Sequence, residues 1–336
     1  MFFSSKKSIL GVDIGTNNIK IAQVTTKENV HTLDTYGIVN VSFEIDEGRD
    51  QIINQTVNVL KNLIDKAGVS TRKVVASMPN SAVFTTVLEM PKMSEAELKS
   101  AVEYEAKKYV PLPMNEITLT FATIEKHPDG KTTVLITAVP NSILRSYELI
   151  FQMAKLETFA IDIEAMALIR SVVGDDKGNN LIVDIGAKST HLNITEAGNL
   201  VLARSVPIGG ETITNKISEA LKISYVRAEQ FKKDFGINQA SLIPETIKPI
   251  LLALKTEVRQ LQTIYQARGK KFDKILLTGG GANLPGLTDF FNDLGTKVTL
   301  GDPLSRLNYN QELKPFLSQY SGSLAVAIGL ALRVNK

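Results

Sequence analysis

The stretch LGVDIGTNNIKIA, residues 10–22, recurs in altered form as LIVDIGAKSTHLN, residues 181–193. In each copy an apolar run ends in Asp-Ile-Gly, small polar residues follow, and the chain then becomes apolar again. Apolar runs on both sides of a turn that contains glycine predict strand, turn and strand. The copies begin about half a chain apart, which is too far for a solenoid repeat. The repeat therefore predicts two related α/β lobes, each opening on a β-hairpin.

The overall composition is typical of a soluble globular protein. A chain of 336 residues is longer than one ordinary hydrophobic core requires, which predicts two domains or one bilobed unit. The net charge of +3 is too small to indicate a nucleic-acid surface, so no nucleic-acid partner is expected. The absence of cysteine excludes disulfides and a cysteine nucleophile, and it is typical of a cytoplasmic protein. The 3 scattered histidines indicate no metal cluster.

No segment of the sequence is predicted to insert into a membrane. The first ten residues, MFFSSKKSIL, lack the apolar core of a signal peptide. The apolar run LAVAIGLAL, residues 324–332, is far shorter than the roughly 20 residues that a spanning helix needs. This run predicts a buried helix packed between subdomains, and any membrane association is expected to come through a partner.

The region between the two copies contains a group of elements that predicts an inserted α+β subdomain. A strand at 83–91 precedes a helix at 94–110, which Ser94 and Glu97 begin as a capping box. A hairpin follows around the sequence PDGK, and then another helix at 141–156. The expected division is a first lobe at 1–82, an inserted subdomain at 83–159, the rest of the first lobe with a connecting helix at 160–180, and a second lobe at 181–336 with a helical subdomain at about 212–272.

The polar turns of the two copies indicate an anion site. Backbone N–H groups and hydroxyls in such turns suit phosphate oxygens, and Lys20 adds a point charge. Asp13 and Asp184 would repel phosphate directly, but they can hold Mg²⁺ through water. Two facing turns would then clamp a polyphosphate and its metal between the lobes. The plainer alternative is a β-turn with a solvated aspartate in each copy.

Two common phosphate motifs are excluded by inspection. The P-loop pattern G-x-x-x-x-G-K-[ST] is absent from the sequence. The late run GGGANL places Leu284 where the dinucleotide fingerprint needs its third glycine, so a Rossmann site is not indicated. A nucleotide site of another design is therefore expected.

The paired DIG turns, the late TGGGANLPG turn at 278–286 and the small insertion together resemble the actin-like ATPase superfamily, and within it the PilM and FtsA branch. The resemblance runs from Ile9 to Leu332. It implies an α/β protein with the actin-like ATPase fold: two duplicated RNase H-like lobes, with a small inserted α+β subdomain in the first lobe. The position of the insertion is similar to that in PilM and FtsA and differs from that in actin.

The resemblance also implies roles for individual residues. The residues with implied catalytic roles are Asp13, Glu164 and Asp184, of which Asp13 and Asp184 would hold Mg²⁺ through water. The residues with implied ATP contacts are Gly15, Thr16, Asn17, Asn18, Lys20, Gly186, Lys188, Ser189, Thr190, Gly210, Glu229, Lys232, Gly279, Gly280, Gly281 and Asn283. Glu164, in a predicted connecting helix at 160–168, would orient the attacking water, and Asp162 is the nearby alternative.

Several of these residues also have simpler structural interpretations. Glu229 and Lys232 are three apart on a predicted helix, where a solvated pair contributes only a few tenths of a kcal/mol. Glu164 can serve as a helix cap. His191 stands in the second copy where Lys20 stands in the first, and a structural role is expected for it.

For function, the resemblance implies a cytoplasmic ATP-binding adaptor of the type IV pilus inner-membrane assembly complex. Its implied partner is the cytoplasmic N-terminal tail of PilN, held in a groove beside the insertion, and through PilN the chain would meet PilO and other inner-membrane components. The adaptor would thus be recruited to the inner face of the membrane. The sequence leaves open whether ATP is hydrolysed slowly or not at all, and whether the pilus serves twitching motility, adhesion or DNA uptake.

Two other functions stay open at this stage. An FtsA-like protein would self-associate into nucleotide-dependent filaments, although the amphipathic anchor of FtsA is not expected here because only RVNK follows Leu332. A small-molecule kinase of the same fold would need a base, often in an Asn-Asp pair. The pair Asn292-Asp293 falls in a late helix of the second lobe, which argues against the kinase.

Overall fold

The computed structural model describes residues 7–41, 48–237 and 243–333. Its strands are β1 Lys7–Ile14, β2 Asn18–Lys27, β3 Val30–Asn40, β4 Lys73–Met78, β5 Phe84–Met90, β6 Ile117–Lys126, β7 Thr132–Pro140, β8 Glu157–Ile163, β9 Asn180–Ile185, β10 Thr190–Glu196, β11 Asn199–Val206, β12 Lys274–Thr278 and β13 Lys297–Leu300. Its α-helices are α1 Arg49–Ala67, α2 Glu95–Tyr109, α3 Asn141–Met153, α4 Glu164–Leu168, α5 Gly210–Leu221, α6 Tyr225–Phe235, α7 Ile243–Ala267, α8 Leu287–Phe291 and α9 Lys314–Ala331.

The first lobe is a five-stranded sheet in the order β3-β2-β1-β4-β8. The β1–β2 hairpin is antiparallel, whereas β4 and β8 add in parallel. Helices α1 and α3 cover one face of this sheet, because their apolar residues recur at helical spacing and are buried together, as Leu60 and Phe151 show. Helix α1 ends where Gly68 takes up a left-handed conformation with φ of 65°, which glycine adopts readily.

The second lobe repeats this arrangement with the order β11-β10-β9-β12-β13. The β9–β10 hairpin is antiparallel, and β12 and β13 are parallel to β9. Helices α5 and α7 pack on its sheet through one apolar cluster that includes Ile217 and Leu254. The two copies of the repeated sequence therefore occupy the same place in two equivalent sheets, which confirms the predicted pair of α/β lobes.

The inserted subdomain is a three-stranded antiparallel sheet, β5-β7-β6, covered by α2. Leu98, Val102 and Ala106 of α2 are buried against the sheet. The capping box predicted at the start of α2 is confirmed, since the Ser94 side chain accepts from the Glu97 N–H and the Glu97 carboxylate accepts from the Ser94 backbone. The insertion is thus a unit with its own small core.

The far boundary of the insertion differs from the expected one at residue 159. Helix α3 packs against α1, and its Tyr147, Ile150 and Phe151 belong to the core of the first lobe. Strand β8 pairs with β4 as the fifth strand of the first sheet. The insertion therefore ends with β7, because the apolar face of α3 is complementary to the first lobe and not to the small sheet.

The end of the chain also differs from the expected division, which placed 181–336 in the second lobe. Helix α9 starts beside the second lobe, but its later residues pack on β1 and β2. Backbone hydrogen bonds of 2.8 and 2.9 Å join Asn308 to His31 and Leu33 of β3. The predicted buried helix is confirmed, because residues 324–331 of α9 are all buried, and it belongs mainly to the first lobe.

The segment between the lobes differs from the helix that was predicted at 160–168. Residues up to Ile163 continue β8, α4 begins only at Glu164, and a π-helical turn follows at Ile169–Val173. This segment crosses α9 in close contact: a Cβ on Gly329 would lie 1.9 Å from the Ala167 carbonyl oxygen. A strand before Glu164 places its carboxylate at the end of the first sheet. Within the described ranges, no helix has the length and apolarity required to cross a bilayer.

Candidate functional site

The two repeated hairpins form turns of the same geometry. The Gly15 N–H donates to the Asn18 carbonyl at 3.0 Å, and the Gly186 N–H donates to the Ser189 carbonyl at 2.9 Å. We call residues 15–18 the first turn and residues 186–189 the second turn. Thr16 and Lys188 are the exposed residues at their tips. Each turn follows directly on an aspartate at the end of a buried strand, as the sequence predicts.

The first hairpin holds an ion pair between its own strands. Asp13 and Lys20 stand opposite each other in the β1–β2 register, and the Lys20 Nζ lies 2.9 Å from Asp13 Oδ2. The Ser77 hydroxyl at the end of β4 lies 3.4 Å from Asp13 Oδ1. Burial acts to lower the pKa of Lys20, but the charge and hydrogen bond of Asp13, together with the charges of Asp184 and Glu164, raise that pKa above its ordinary value. Lys20 is therefore a fixed cation at neutral pH.

Two further carboxylates share the cleft with this pair. Burial raises the pKa of Asp184 to about 6, with Lys20 acting to lower it and Asp13 to raise it. Burial, and then the charges of Asp13 and Asp184, raises the pKa of Glu164 well above its ordinary value. Three carboxyl groups thus face one ammonium group. Such an excess of buried negative charge is relieved either by protonation or by a cation.

The carboxylates fit a hydrated cation better than a directly bound one. Within the described part of the chain, no group of three or more His, Cys, Asp and Glu side chains is arranged to hold a metal ion directly. Asp13 and Asp184 nevertheless lie at the ends of equivalent strands of the two sheets, and the charge of Asp13 acts to raise the pKa of Asp184. Mg²⁺ keeps several of its waters and needs few protein carboxylates, so this donor set suits it.

The second turn is attached to helix α5. The Gly210 N–H donates to the Gly186 carbonyl at 2.9 Å, and the Glu211 N–H donates to the Ala187 carbonyl at 2.8 Å. A Cβ on Gly209 would lie 2.3 Å from the Ala187 carbonyl oxygen, so this close approach requires glycine. The second turn and the start of α5 therefore form one rigid element beside the cleft.

Three predicted residues of the second hairpin have other contacts. The Thr190 hydroxyl is buried and donates to the Ile208 carbonyl at 2.7 Å. Lys188 lines an open cavity of about 400 Å³ beside α5, together with Glu211, Thr212 and Asn215. The Ser189 hydroxyl contacts the His191 ring at 3.1 Å. Ser189 thus contacts the residue that is paired with Asp184 across the hairpin.

Glu229 and Lys232 form a partly buried cluster between α5 and α6. The Lys232 Nζ lies 2.6 Å from Glu229 Oε2, 2.8 Å from the Thr214 hydroxyl and 3.1 Å from the Gly210 carbonyl oxygen. Burial lowers the pKa of Lys232 despite the nearby carboxylate of Glu229. Burial acts to raise the pKa of Glu229, but hydrogen bonds from Lys232 and Thr214 lower it overall. The interpretation of Glu229 and Lys232 as a simple solvated pair is therefore not supported by the structure.

The glycine turn after β12 lies against the second carboxylate. Gly279 has φ of 83°, and a Cβ there would lie 2.5 Å from Asp184 Oδ1. Gly281 is equally confined, because its Cβ would lie 2.3 Å from the Ile185 side chain. A Cβ on Gly280 would lie 3.2 Å from the Ser323 hydroxyl. The Asn283 amide turns to α9 and donates to the Gln319 carbonyl at 2.9 Å.

The structure adds residues that sequence reasoning missed. Ser77 lies at the end of β4, which is parallel to β1, so its place beside Asp13 follows from the rule that carboxyl ends of parallel strands share one edge. Tyr147 on α3 is buried, and its pKa is raised by burial and then by the charges of Asp13 and Glu164. The Glu211 carboxylate accepts a hydrogen bond from the Asn17 side chain of the opposite lobe. No sequence signal indicated the last two residues.

Comparison with known proteins agrees with this architecture. The model of the family described as type IV pilus assembly protein PilM matches residues 11–335. The chain belongs to this family. A solved structure described as the PilM-PilN type IV pilus biogenesis complex superposes with a TM-score of 0.85 at 24% identity, covering 97% of this chain and 98% of that one. The protein is thus a type IV pilus assembly protein with an actin-like fold.

More distant relatives share the fold. The cell division protein FtsA of Bacillus subtilis is 23% identical over 88% of this chain and 78% of its own length. MreB 5 of Spiroplasma citri, solved with bound AMPPNP, superposes with a TM-score of 0.53 at 13% identity, covering 96% of this chain and 94% of that chain. The actin-like fold predicted from the paired hairpins is confirmed by these similarities.

Proposed function

We propose that the chain is a cytoplasmic, ATP-binding adaptor of the type IV pilus inner-membrane assembly complex that binds the N-terminal cytoplasmic tail of PilN. The main support for ATP binding is the cleft between the two turns. Two turns of equal geometry end equivalent strands of the two lobes, and Lys20 and the carboxyl groups of Asp13, Glu164 and Asp184 lie between them. Polyphosphate and a hydrated cation together would balance this arrangement of charge.

ATP would be held by residues of both lobes. The first and second turns and Lys20 would contact phosphate oxygens, and Asp13 and Asp184 would hold Mg²⁺ through water. Glu229 and Lys232 lie beside Gly210, where the nucleoside would follow the phosphates. The bound cation would neutralise developing and resting negative charge on the phosphates. The AMPPNP of the similar MreB 5 structure supports a nucleotide in this fold.

Any hydrolysis is expected to be slow. A carboxyl group that takes a proton from water must be ionised, and the raised pKa of Glu164 disfavours that form. A cation near Asp13 and Asp184 would shift Glu164 toward ionisation by cancelling their charge. Turnover would then depend on Mg²⁺ more steeply than binding does.

The PilN assignment rests on the structural similarity to the PilM-PilN complex over nearly the whole chain. The contacts of the insertion suggest how nucleotide would influence such a partner. Val87 of β5 and Leu135 of β7 belong to the same apolar cluster as Leu200 of the second lobe and Ile163 of the first. Because the insertion touches both lobes, a change in their separation would also shift a peptide groove beside it. Recruitment to the membrane would follow from binding PilN.

The test is a titration of the purified chain into a labelled peptide copied from the PilN tail, read by fluorescence anisotropy with and without Mg·ATP. Saturable binding that a scrambled peptide lacks is the expected result. Equal, weak binding of the native and scrambled peptides would refute the adaptor function.

The nucleotide site is tested separately with Asp13→Ala. This variant should lose most Mg·ATP affinity, whereas Asp65→Ala, which removes an exposed carboxylate of α1, should keep it. Unchanged Mg·ATP affinity in Asp13→Ala would show that the cleft is not the nucleotide site.

A further inference from the structure

A side-chain contact joins the two lobes at the turns themselves. The Asn17 amide, in the first turn, donates to the carboxylate of Glu211, which is in the first turn of α5. The two residues come from different lobes and lie 194 positions apart in the sequence. Their hydrogen bond therefore spans the gap into which phosphates would have to enter.

Each partner of this contact is fixed to its own lobe. The Asn17 carbonyl accepts from the Val41 N–H at 2.8 Å, within the turn that the Gly15–Asn18 hydrogen bond of 3.0 Å closes. The Glu211 N–H donates to Ala187 of the second turn at 2.8 Å. If the lobes moved apart, Asn17 and Glu211 could stay hydrogen-bonded only if one of the two turns were displaced as well. The hydrogen bond therefore restrains the separation of the lobes.

Two lysines near Glu211, one on α5 and one on α6, are paired with other carboxylates. Lys216, on the same helix, pairs with Glu219 at 3.5 Å. Lys232, whose pKa the charge of Glu211 acts to raise, pairs with Glu229 at 2.6 Å. A hydrogen bond that involves a charged acceptor is stronger than one between neutral groups. The same negative charge would repel a phosphate that approaches Asn17, so Glu211 and a nucleotide compete for the Asn17 amide.

We propose that the Asn17–Glu211 hydrogen bond is an autoinhibitory contact that holds the turns together in the nucleotide-free protein and limits nucleotide entry. This inference rests on the proposed nucleotide function of the same cleft. If the contact keeps most molecules closed, the apparent affinity for nucleotide is reduced by the fraction that is open. Removing the contact should then raise the rate of nucleotide association roughly tenfold, the effect of one such hydrogen bond.

The separation of the lobes can be measured directly. The chain has no cysteines, so Asn58→Cys on α1 and Gln260→Cys on α7 provide unique, exposed sites for spin labels. In the nucleotide-free protein, Asn17→Asp should place two carboxylates together and shift the distance distribution to longer values. Adding Glu211→Gln to Asn17→Asp should restore the shorter distance, because the new amide can donate to the new carboxylate. Glu219→Gln, at an exposed carboxylate of the same helix, is the matched control and should change nothing.

The rate of nucleotide association is measured with Glu211→Ala, in which the Asn17 amide loses its acceptor. Stopped-flow mixing with fluorescent Mg·ATP should show the faster association, with Glu219→Gln at the wild-type rate. Unchanged distances in Asn17→Asp and in Glu211→Ala would overturn the autoinhibitory contact. A wild-type protein that binds no Mg·ATP would refute the proposed function instead, and the distance measurements distinguish the two failures.

Discussion

The two hairpins have the same backbone and different charges. Their turns close with hydrogen bonds of 3.0 and 2.9 Å, and each hairpin places its aspartate opposite a residue of its second strand. Lys20 stands opposite Asp13, and His191 stands opposite Asp184. Lys20 stays charged, whereas burial lowers the pKa of His191 to about 4 and keeps it neutral. The first carboxylate is thus neutralised within its own hairpin, and the second is not. A site with one internal cation and a second, uncompensated carboxylate is suited to an added metal ion.

The largest effect should come from removing the one internal cation. Lys20→Ala leaves Asp13 buried without its partner, which should lower the free energy of unfolding by about 3 kcal/mol. Mg·ATP binding should be lost as well. Denaturant titration and isothermal calorimetry measure the two effects. Lys188→Ala, at the exposed lysine of the second turn, should change the free energy of unfolding by less than about 0.5 kcal/mol; equal losses in the two variants would contradict the comparison.

The glycine turn belongs only to the second lobe, and it should be intolerant of a side chain. Gly279→Ala combines a positive φ with a contact of 2.5 Å to Asp184, so we expect a loss of at least about 2 kcal/mol in unfolding free energy. Gly295→Ala is the control, because its φ is also positive but nothing lies within 4 Å of the new Cβ. It should cost about 1 kcal/mol. Equal costs, measured by denaturant titration, would show that the Asp184 contact does not matter.

The two aspartates should respond to neutralisation in opposite directions. The folded pKa of Asp184, about 6, lies above the unfolded value, so the folded state binds more protons and stability falls as pH rises from about 4 to 6. Asp184→Asn should therefore stabilise the nucleotide-free protein at about pH 7.5 by about 2 kcal/mol, and less near pH 5. Asp13→Asn should destabilise it, because Lys20 loses its partner.

Thermal unfolding of both aspartate variants at the two pH values checks this difference. Stabilisation by both substitutions would mean that the Asp13–Lys20 pair contributes nothing in the folded protein. A destabilised Asp184→Asn at about pH 7.5 would contradict the raised pKa of Asp184.

The smallest effect should come from the residue that replaces Lys20 in the second hairpin. His191 is neutral at physiological pH and contacts Ser189, so His191→Gln should change the free energy of unfolding by less than about 1 kcal/mol. Mg·ATP affinity should stay within a few-fold of the wild type. A loss as large as that of Lys20→Ala, measured in the same calorimetric assay, would show that the two hairpins are equivalent in function.

Much of the architecture was predictable from local pattern. The repeated DIG run indicated paired hairpins, the capping box of Ser94 and Glu97 marked the start of α2, and the short apolar run at 324–332 indicated a buried helix. These features are encoded by neighbours in the sequence. For the same reason, the strands and helices were found more accurately than the lobes to which they belong.

The assignment of elements to lobes depended on contacts between distant residues. The apolar face of α3 does not reveal whether it packs on the insertion or on α1, and α9 gives no sign that it returns to β1 and β2. Asp13, Lys20 and Asp184 were predicted as candidate site residues because their hairpins repeat. Ser77, Tyr147 and Glu211 were not, because each reaches the cleft only through the packing of its strand or helix.

Sequence alone thus indicated the duplicated hairpins, their two aspartates and Lys20, since strand and turn preferences act between residues close along the chain. Only the tertiary structure brought Glu164 and Asp184 into the field of Asp13 and placed Glu211 against Asn17. The raised carboxyl pKa values and the contact between the lobes depend on distance and burial. Both are properties of the packed molecule and of no segment by itself.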